Sequence, residues 1–315
     1  MNPQVSIVIP LYNKEKHVLD TLYSVWSQSF SNYEVIVIND GSTDNSLEQL
    51  SHCNDKRLRV FTTKNKGVSH ARNYGITKAK AELIAFLDAD DIWLEHHLED
   101  LIHLYKQFPD CGMYCKAYNK KDGNIIIKSK YKNISSHIPW KGIVTDYFDS
   151  SLFNSIAWTS AVMVPKSTLE KTGGFDTNIT LGAGEDTDLW IRIALNYPVA
   201  FSSKVSAIHI LHSENRISNS NTNVRQFIDL DRYNYEAETN MSLKKYLDAN
   251  RYSIAIQYKL AKNSNKATQY IKKIDKRLLN NKQRFLLSQS PFVLRLFFRL
   301  KQILKQQGIL LSSFR

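Results

Sequence analysis

The sequence predicts an α/β fold with a mostly parallel central sheet flanked by helices, followed by a basic helical extension. Three observations carry this expectation. Four short apolar runs alternate with helix-type runs over roughly the first ninety residues. Those runs are apolar almost throughout, as strands buried on both faces require. The positive charge is concentrated at the other end: residues 241–315 hold 17 Lys and Arg against 2 acidic residues, so the remainder of a chain with net charge +12 carries −3.

The elements follow in order. The strand runs are VSIVIP (5–10), EVIVIND (34–40), LRVFTT (58–63) and ELIAFLD (82–88). Between the first two, Val18, Leu19, Leu22, Val25 and Trp26 fall on one face of an amphipathic helix. A second helix is expected near Asn45, with Glu48 completing a capping box, and a third from about Val68 to Lys80. The β-α-β order implies parallel strands joined by right-handed crossovers. After a helix near 94–107, GMYCKAYNKKDGNIIIK reads as a hairpin turning at Asp122-Gly123. SIAWTSAVMVP reads as a further strand, and GEDTDLWIRIAL opens a helix. From about 226 the chain is helical, polar and basic, without a repeating unit. The expected division is 1–225 as one domain, with halves at 1–105 and 106–225, and 226–315 as the basic helical region.

Composition narrows the function classes. Cys53, Cys111 and Cys115 are too few and wrongly spaced for a disulfide framework or a CxxC pair, and are expected to be reduced thiols. MNPQVSIVIP has no basic region followed by a long apolar one, so no signal peptide is expected, and no apolar run reaches the ~18 residues of a membrane span. A cytoplasmic location is therefore expected. GxxxxGK[ST] and GxGxxG are both missing, which argues against a P-loop NTPase or a nicotinamide-dependent dehydrogenase.

The unusual polar residues gather where an open parallel sheet binds ligands, beyond the carboxyl ends of its strands. Strand one delivers Pro10, Tyr12 and Asn13; strand two, Asp40; strand three leads to Asn65, Lys66 and Gly67; strand four, Asp88, Ala89, Asp90 and Asp91. One helix cap needs only one acceptor, so three aspartates in four positions call for a bound cation, Mg²⁺ or Mn²⁺. Arg72 or Lys66 would help neutralise a diphosphate, and Asp91 is expected to cap a helix starting near Ile92.

VSIVIPLYNKEKHV, VIVINDGSTDNS, NKGVSHARNYGI, AFLDADDIW, GGFDTNI and GEDTDLWIR occur in an order that strongly resembles the family 2 glycosyltransferases, inverting nucleotide-sugar enzymes of the Rossmann-like GT-A fold. The resemblance covers roughly residues 4–215 and implies that 1–105 is the nucleotide-sugar-binding half and 106–225 the acceptor half. It implies that Tyr12 stacks near the nucleobase, that Asp40 accepts hydrogen bonds from it, and that Arg72 lies near the nucleotide or diphosphate. Asp88 would contact the ribose or the metal shell, Asp90 would hold the metal, and Asp91 would be a support or cap rather than a ligand. Asp186 would be the catalytic base, with Glu185 shaping the acceptor pocket. His212, in LHSENRIS, matches a position where the family often places a histidine near the metal or diphosphate. The reaction implied is an inverting displacement that moves a sugar, most readily from a UDP-sugar, to a saccharide or lipid-linked acceptor in cell-surface glycan synthesis.

Trp140 and Trp158 are candidate sugar-stacking platforms, and Gly182 and Gly184 would let the loop before Asp186 move. In SPFVLRLFFRLKQILKQQGILL, Val293, Phe297, Leu300 and Leu304 share a face, with Arg295, Arg299, Lys301 and Lys305 around them. Such a helix suits an anionic membrane surface on the cytoplasmic side, with packing on protein as the competitor. No nucleic-acid-binding motif accompanies the charge. The competing function classes are a non-catalytic nucleotide-sugar-binding or scaffold protein, and a nucleotidyltransferase.

Overall fold

The computed structural model describes residues 2–135, 139–216, 220–306, 309 and 311–314. Along the chain run β1 (Val5–Leu11), α1 (Val18–Trp26), β2 (Tyr33–Asn39), α2 (Ser46–Ser51), β3 (Leu58–Thr62), α3 (Val68–Lys78), β4 (Leu83–Phe86), β5 (Ile92–Trp93) and α4 (His97–Gln107). There follow β6 (Met113–Asp122), β7 (Ile125–Lys128), β8 (Lys141–Ile143), α5 (Tyr147–Ser150), β9 (Val162–Pro165), α6 (Lys166–Thr172), α7 (Glu185–Asn196) and β10 (Val199–Ile210). The C-terminal helices are α8 (Asn234–Thr239), α9 (Met241–Leu260), α10 (Ser264–Lys272), α11 (Asn281–Ser288) and α12 (Pro291–Gln306).

The sheet order is β3-β2-β1-β4-β9-β6-β10-β5, with β7 on β6 and β8 on β10. The β3-β2-β1-β4 half is parallel throughout, as the alternating runs predict. In the second half, β9 runs antiparallel to both β4 and β6, so β6 recovers the direction of β4. Asp122, at the end of β6, therefore stands on the same rim as the end of β4. Alternation along β1 sends Val5, Ile7, Ile9 and Leu11 into one core layer and Val8 into the other. Both layers are filled, which is why these strands read as continuous apolar runs.

The packing fixes two elements of the site. At Gly75 of α3, a Cβ would lie 2.4 Å from Val8 Cγ1, so only glycine lets this helix settle so closely on β1. The side-chain amide of Asn73 pairs with both backbone groups of Phe175, at 2.8 and 2.9 Å, tying α3 to the GGFD segment. Phe175 in turn meets Phe86 of β4 at 5.2 Å and Trp190 of α7 at 5.9 Å between ring centroids. Offset and edge-to-face aromatic contacts of this kind add stability beyond area burial.

Several local expectations are corrected. The capping box at Asn45 is not formed: its backbone N–H is taken by Glu15, while Asp44 accepts from Ser46. Residues 92 and 93 form a strand on β10 and the next helix begins at His97, so Asp91 caps no helix there. Only the end of SIAWTSAVMVP is strand, because Thr159–Ala161 forms a 3-10 turn. Among the described residues of α12, Leu294 is fully buried, whereas Phe297 and Leu300 of the expected 293/297/300/304 face are exposed. Residues 307, 308 and 310 of that tail lie outside the described residues. Among the described residues, no helix is long and apolar enough to cross a membrane.

Candidate active site

Arg72 stands at the centre of the rim. It projects from the first turns of α3 with its guanidinium lying 5.1 Å over the Phe175 ring. One nitrogen donates to Asp88 at 2.7 Å and the other to Glu185 at 3.3 Å. The site's two halves, one on β4 and one on α7, thus meet on a single planar cation. Burial works against its charge, but Asp88 and Glu185 outweigh burial and raise its proton affinity. An arginine fork suits this task because it holds two carboxylates in fixed directions.

Glu185 and Asp186 open α7 behind Gly184, whose φ of +107° is left-handed territory that favours glycine. Their environments differ sharply. Glu185 is buried, and burial, then repulsion from Asp186, pushes its carboxyl up to about 7 against the pull of Arg72. Its Oε2 has no hydrogen-bond partner among the described residues. Asp186 is half-buried; its Oδ1 accepts from the Thr187 backbone at 2.6 Å, and among the described residues its Oδ2 accepts from Thr159 Oγ1 at 3.5 Å. Asp186 is therefore the more accessible of the two carboxylates.

In the loop after β4, the side chains alternate in exposure. Asp88 and Asp90 keep 32% and 15% of their side-chain surface, while Ala89 and Asp91 are buried. Asp91 accepts from Ser160 Oγ at 2.6 Å and from the Ile210 backbone at 3.0 Å, which ties the loop to β10. Burial, then Asp90 and Asp88, pushes its carboxyl well above the usual range. It is an internal clasp, which agrees with the support expected of it and not with the helix cap. Burial also disfavours the Asp90 carboxylate, but Lys14 at 2.7 Å, then Ser213 and Arg216, outweigh it and hold it below the usual range.

On the opposite side of the rim, Tyr12 is 40% exposed beyond Pro10, and Asn13 takes the left-handed region at φ +51°. Asn13 Oδ1 accepts from the Thr43 backbone at 2.7 Å. Asp40 is buried and accepts from Thr63 Oγ1, Lys66 N and Gly67 N at 3.1, 2.9 and 2.8 Å, so it anchors the start of α3. A carboxylate has about four acceptor sites, which leaves one for a further donor. Lys66 itself is exposed.

Trp158 is not presented as a bare platform: its ring meets Tyr118 at 4.4 Å and His209 at 5.0 Å. Burial, then Arg216 and Lys120, brings His209 down to about 3, making it a neutral stacking partner. Trp140 packs on Phe201 and its backbone bonds to Ser203, away from the strand ends. His212 is 70% exposed and pairs with Asp122, which also meets Lys305 of α12. His212 and Asp90 line one cavity of about 270 Å³. Residues 217 and 218 of the LHSENRIS stretch lie outside the described residues.

Among the described residues no group of three or more His, Cys, Asp or Glu is arranged as a metal cage. Asp88, Asp90 and His212 do not form such a group here, and His212 pairs with Asp122. A hard divalent ion that takes part of its shell from phosphates needs only one or two carboxylates, and Asp88 with Asp90 fits that donor set. Sequence reasoning passed over Ser160, and also Lys14 and Ser213, although those two lie inside the quoted stretches VSIVIPLYNKEKHV and LHSENRIS.

The sequence model described as Glycosyl transferase family 2 matches residues 6–168, just over half of the chain. The chain belongs to family 2 of the glycosyltransferases. An uncharacterized glycosyltransferase of Rickettsia bellii is 30% identical over 236 residues, covering 73% of this chain and 32% of that protein. An Escherichia coli protein named UDP-Glc:alpha-D-GlcNAc-diphosphoundecaprenol beta-1,3-glucosyltransferase WfgD is 38% identical over 96 residues, 30% of this chain and 38% of that one. The chain spans about a third of the length of the first curated relatives it matches. Among solved structures, S. aureus TarS 1–349 in complex with UDP-GlcNAc matches with a TM-score of 0.60 at 17% identity, covering 93% of this chain and 89% of that chain. At that identity the likeness speaks for the fold. This family 2 glycosyltransferase thus shares with TarS an α/β architecture whose central sheet is flanked by helices.

Proposed function

We propose that the protein is an inverting glycosyltransferase that moves a sugar from a UDP-sugar to a saccharide or lipid-linked saccharide. The observation that carries this reading is Arg72 binding Asp88 and Glu185 at once, which brings the donor-side aspartate pair and the start of α7 into one site. The printed names of WfgD and of the TarS complex, both with UDP-linked sugars, support the donor class.

Tyr12 and Asp40 would flank the base, and Asp88 and Asp90 would hold the divalent ion. When bound, that ion would stabilise the charge that develops on the leaving diphosphate. Asp186 accepts the proton of the acceptor hydroxyl as its oxygen bonds to the anomeric carbon. The bond from that carbon to the diphosphate oxygen breaks on the opposite face, and the nucleoside diphosphate leaves with the bond's electron pair. Buried Glu185 cannot take the same proton directly; it sets the position of Arg72 and the charge beside Asp186.

The test is a panel of UDP-, GDP-, CMP- and dTDP-sugars, with and without Mn²⁺, read by thermal shift and by transfer to glycan acceptors. Metal-dependent stabilisation by UDP-sugars with turnover is expected. Tight binding without turnover on any acceptor would favour the scaffold reading, and release of pyrophosphate from a nucleoside triphosphate and a sugar phosphate would favour a nucleotidyltransferase.

The basic tail supports peripheral attachment to an anionic membrane surface. Phe292, Leu296, Leu300 and Ile303 are exposed at 78%, 60%, 47% and 55%, and their spacing places them on one face of α12. Arg295 and Arg299 border that face, the pattern of a helix lying in a lipid interface.

A further inference from the structure

Asp90 is the residue through which the proposed donor reading binds a divalent ion, yet a cation of the chain itself already sits on it. Lys14 follows Asn13, whose left-handed backbone turns the chain at the end of β1. Its backbone N–H donates to Ser46 Oγ at 2.8 Å, and its carbonyl accepts the first N–H groups leading into α1. The backbone is thus fixed, and the side chain runs inward with 11% of its surface exposed. Its ammonium donates to Asp90 Oδ2 at 2.7 Å, to the Glu214 carbonyl at 2.6 Å and to Ser213 Oγ at 3.4 Å. An ammonium has three donors, and all three are engaged. Ser213 Oγ also donates to Asp90, Lys16 meets Glu214 at 3.0 Å, and Asn215 donates to the Asn13 carbonyl at 3.2 Å. Residues 213–215 are therefore drawn onto the loop after β1 around one buried ion pair.

We propose that Lys14 is a built-in counter-cation for Asp90, displaced from that carboxylate when a divalent ion and a nucleoside diphosphate bind, its ammonium then passing to a diphosphate oxygen. The proposal rests on the donor reading above and adds a positioning residue to it. An ammonium and a hard dication compete for the same carboxylate oxygen, and a phosphate oxygen is the natural acceptor for the lysine released. Without a diphosphate, the ammonium has every reason to stay, because uncovering a buried charge is costly. Metal alone should then bind weakly, and metal with UDP tightly.

The test is calorimetric titration of the metal-stripped full chain with Mn²⁺ alone, and with UDP in the presence of Mn²⁺, for the wild type and Lys14→Met. The variant is expected to bind Mn²⁺ alone about tenfold more tightly, since its competitor is gone, and UDP with Mn²⁺ about tenfold more weakly, since a charge-assisted bond to phosphate is lost. Unchanged Mn²⁺ affinity overturns the exchange while leaving the donor reading intact. Failure of the wild type to bind UDP with or without metal overturns both. Should Lys14→Met not fold, the wild type carries the test by ¹⁵N NMR of lysine ammonium groups, with Lys14 assigned by loss of its signal in Lys14→Arg. That signal is expected to move when Mg²⁺ and UDP are added together, and an unmoved signal at saturation overturns the proposal.

Discussion

Arg72 and Glu185 lie 113 residues apart in the chain and meet at 3.3 Å in its interior, while the other arm of the same guanidinium reaches Asp88 at 2.7 Å. Replacing the fork should separate geometry from charge. Arg72→Lys keeps a cation but cannot hold both carboxylates in plane, so the chain should fold and kcat/KM should fall about a hundredfold, ~2.7 kcal/mol of transition-state stabilisation. Arg72→Met strands two carboxylates, and urea unfolding should show a loss of about 3–5 kcal/mol. An Arg72→Lys variant with wild-type kcat/KM would remove Arg72 from the site.

Glu185 predicts a pH dependence of stability. Its carboxyl is raised from an ordinary 4.5 to about 7 in the folded state, chiefly by burial. The unfolded chain therefore loses this proton first as pH rises, so the group's contribution is fully present below 4.5 and is lost on the way up through about 7. Glu185→Gln cannot ionise. Its melting temperature relative to wild type should rise progressively across that window, and a difference that is flat with pH would contradict the burial argument.

Asp91 and Asp90 are neighbours with opposite expectations. Asp91 is a buried clasp pushed toward its neutral form, so Asp91→Asn should keep the bonds to Ser160 and Ile210 and stay within about 1 kcal/mol of wild type. Asp90→Asn leaves Lys14 without its carboxylate and should weaken UDP binding in Mn²⁺ about tenfold or more. Thermal melts and UDP titrations of the two variants check the contrast, which fails if Asp91→Asn is the more damaging.

The α12 face makes a separable prediction. Leu296→Ser with Ile303→Ser alters exposed positions, so the melting temperature should hold. Co-sedimentation with vesicles rich in phosphatidylglycerol should fall several-fold, and binding by the wild type should weaken with added salt. Equal sedimentation of wild type and variant would return the face to protein packing.

How much could be read in advance follows from what each residue answers to. Strands β1, β2 and β4 were legible because residues such as Ile7, Ile36 and Ile84 are apolar on both sides of a covered sheet, whereas β3 is an edge strand that is only partly covered, contrary to the expectation of burial on both faces. Asp88, Asp90, Glu185 and Asp186 were legible as motif members at strand and helix ends. Asp91 was legible as a support but not as a cap, because a carboxylate before Ile92 looks like a cap, whereas Ile92 and Trp93 are drawn into pairing with β10. The Lys14–Asp90 pair spans 76 residues, and Lys14 to Glu214 spans 200, so nothing local announces either contact. His212 was placed by analogy with a motif, and its pairing with Asp122 on the β6–β7 hairpin, 90 positions earlier, has no local signal.

The measurement that bears most directly on the central claim is UDP-sugar transfer by the wild type and Asp186→Asn, with the anomeric configuration of the product read by NMR. The account predicts an inverted product from the wild type, and in the variant a kcat lower by roughly 10²- to 10⁴-fold with UDP affinity preserved. Transfer by Asp186→Asn at the wild-type rate, or a product that retains the donor's configuration, would contradict it.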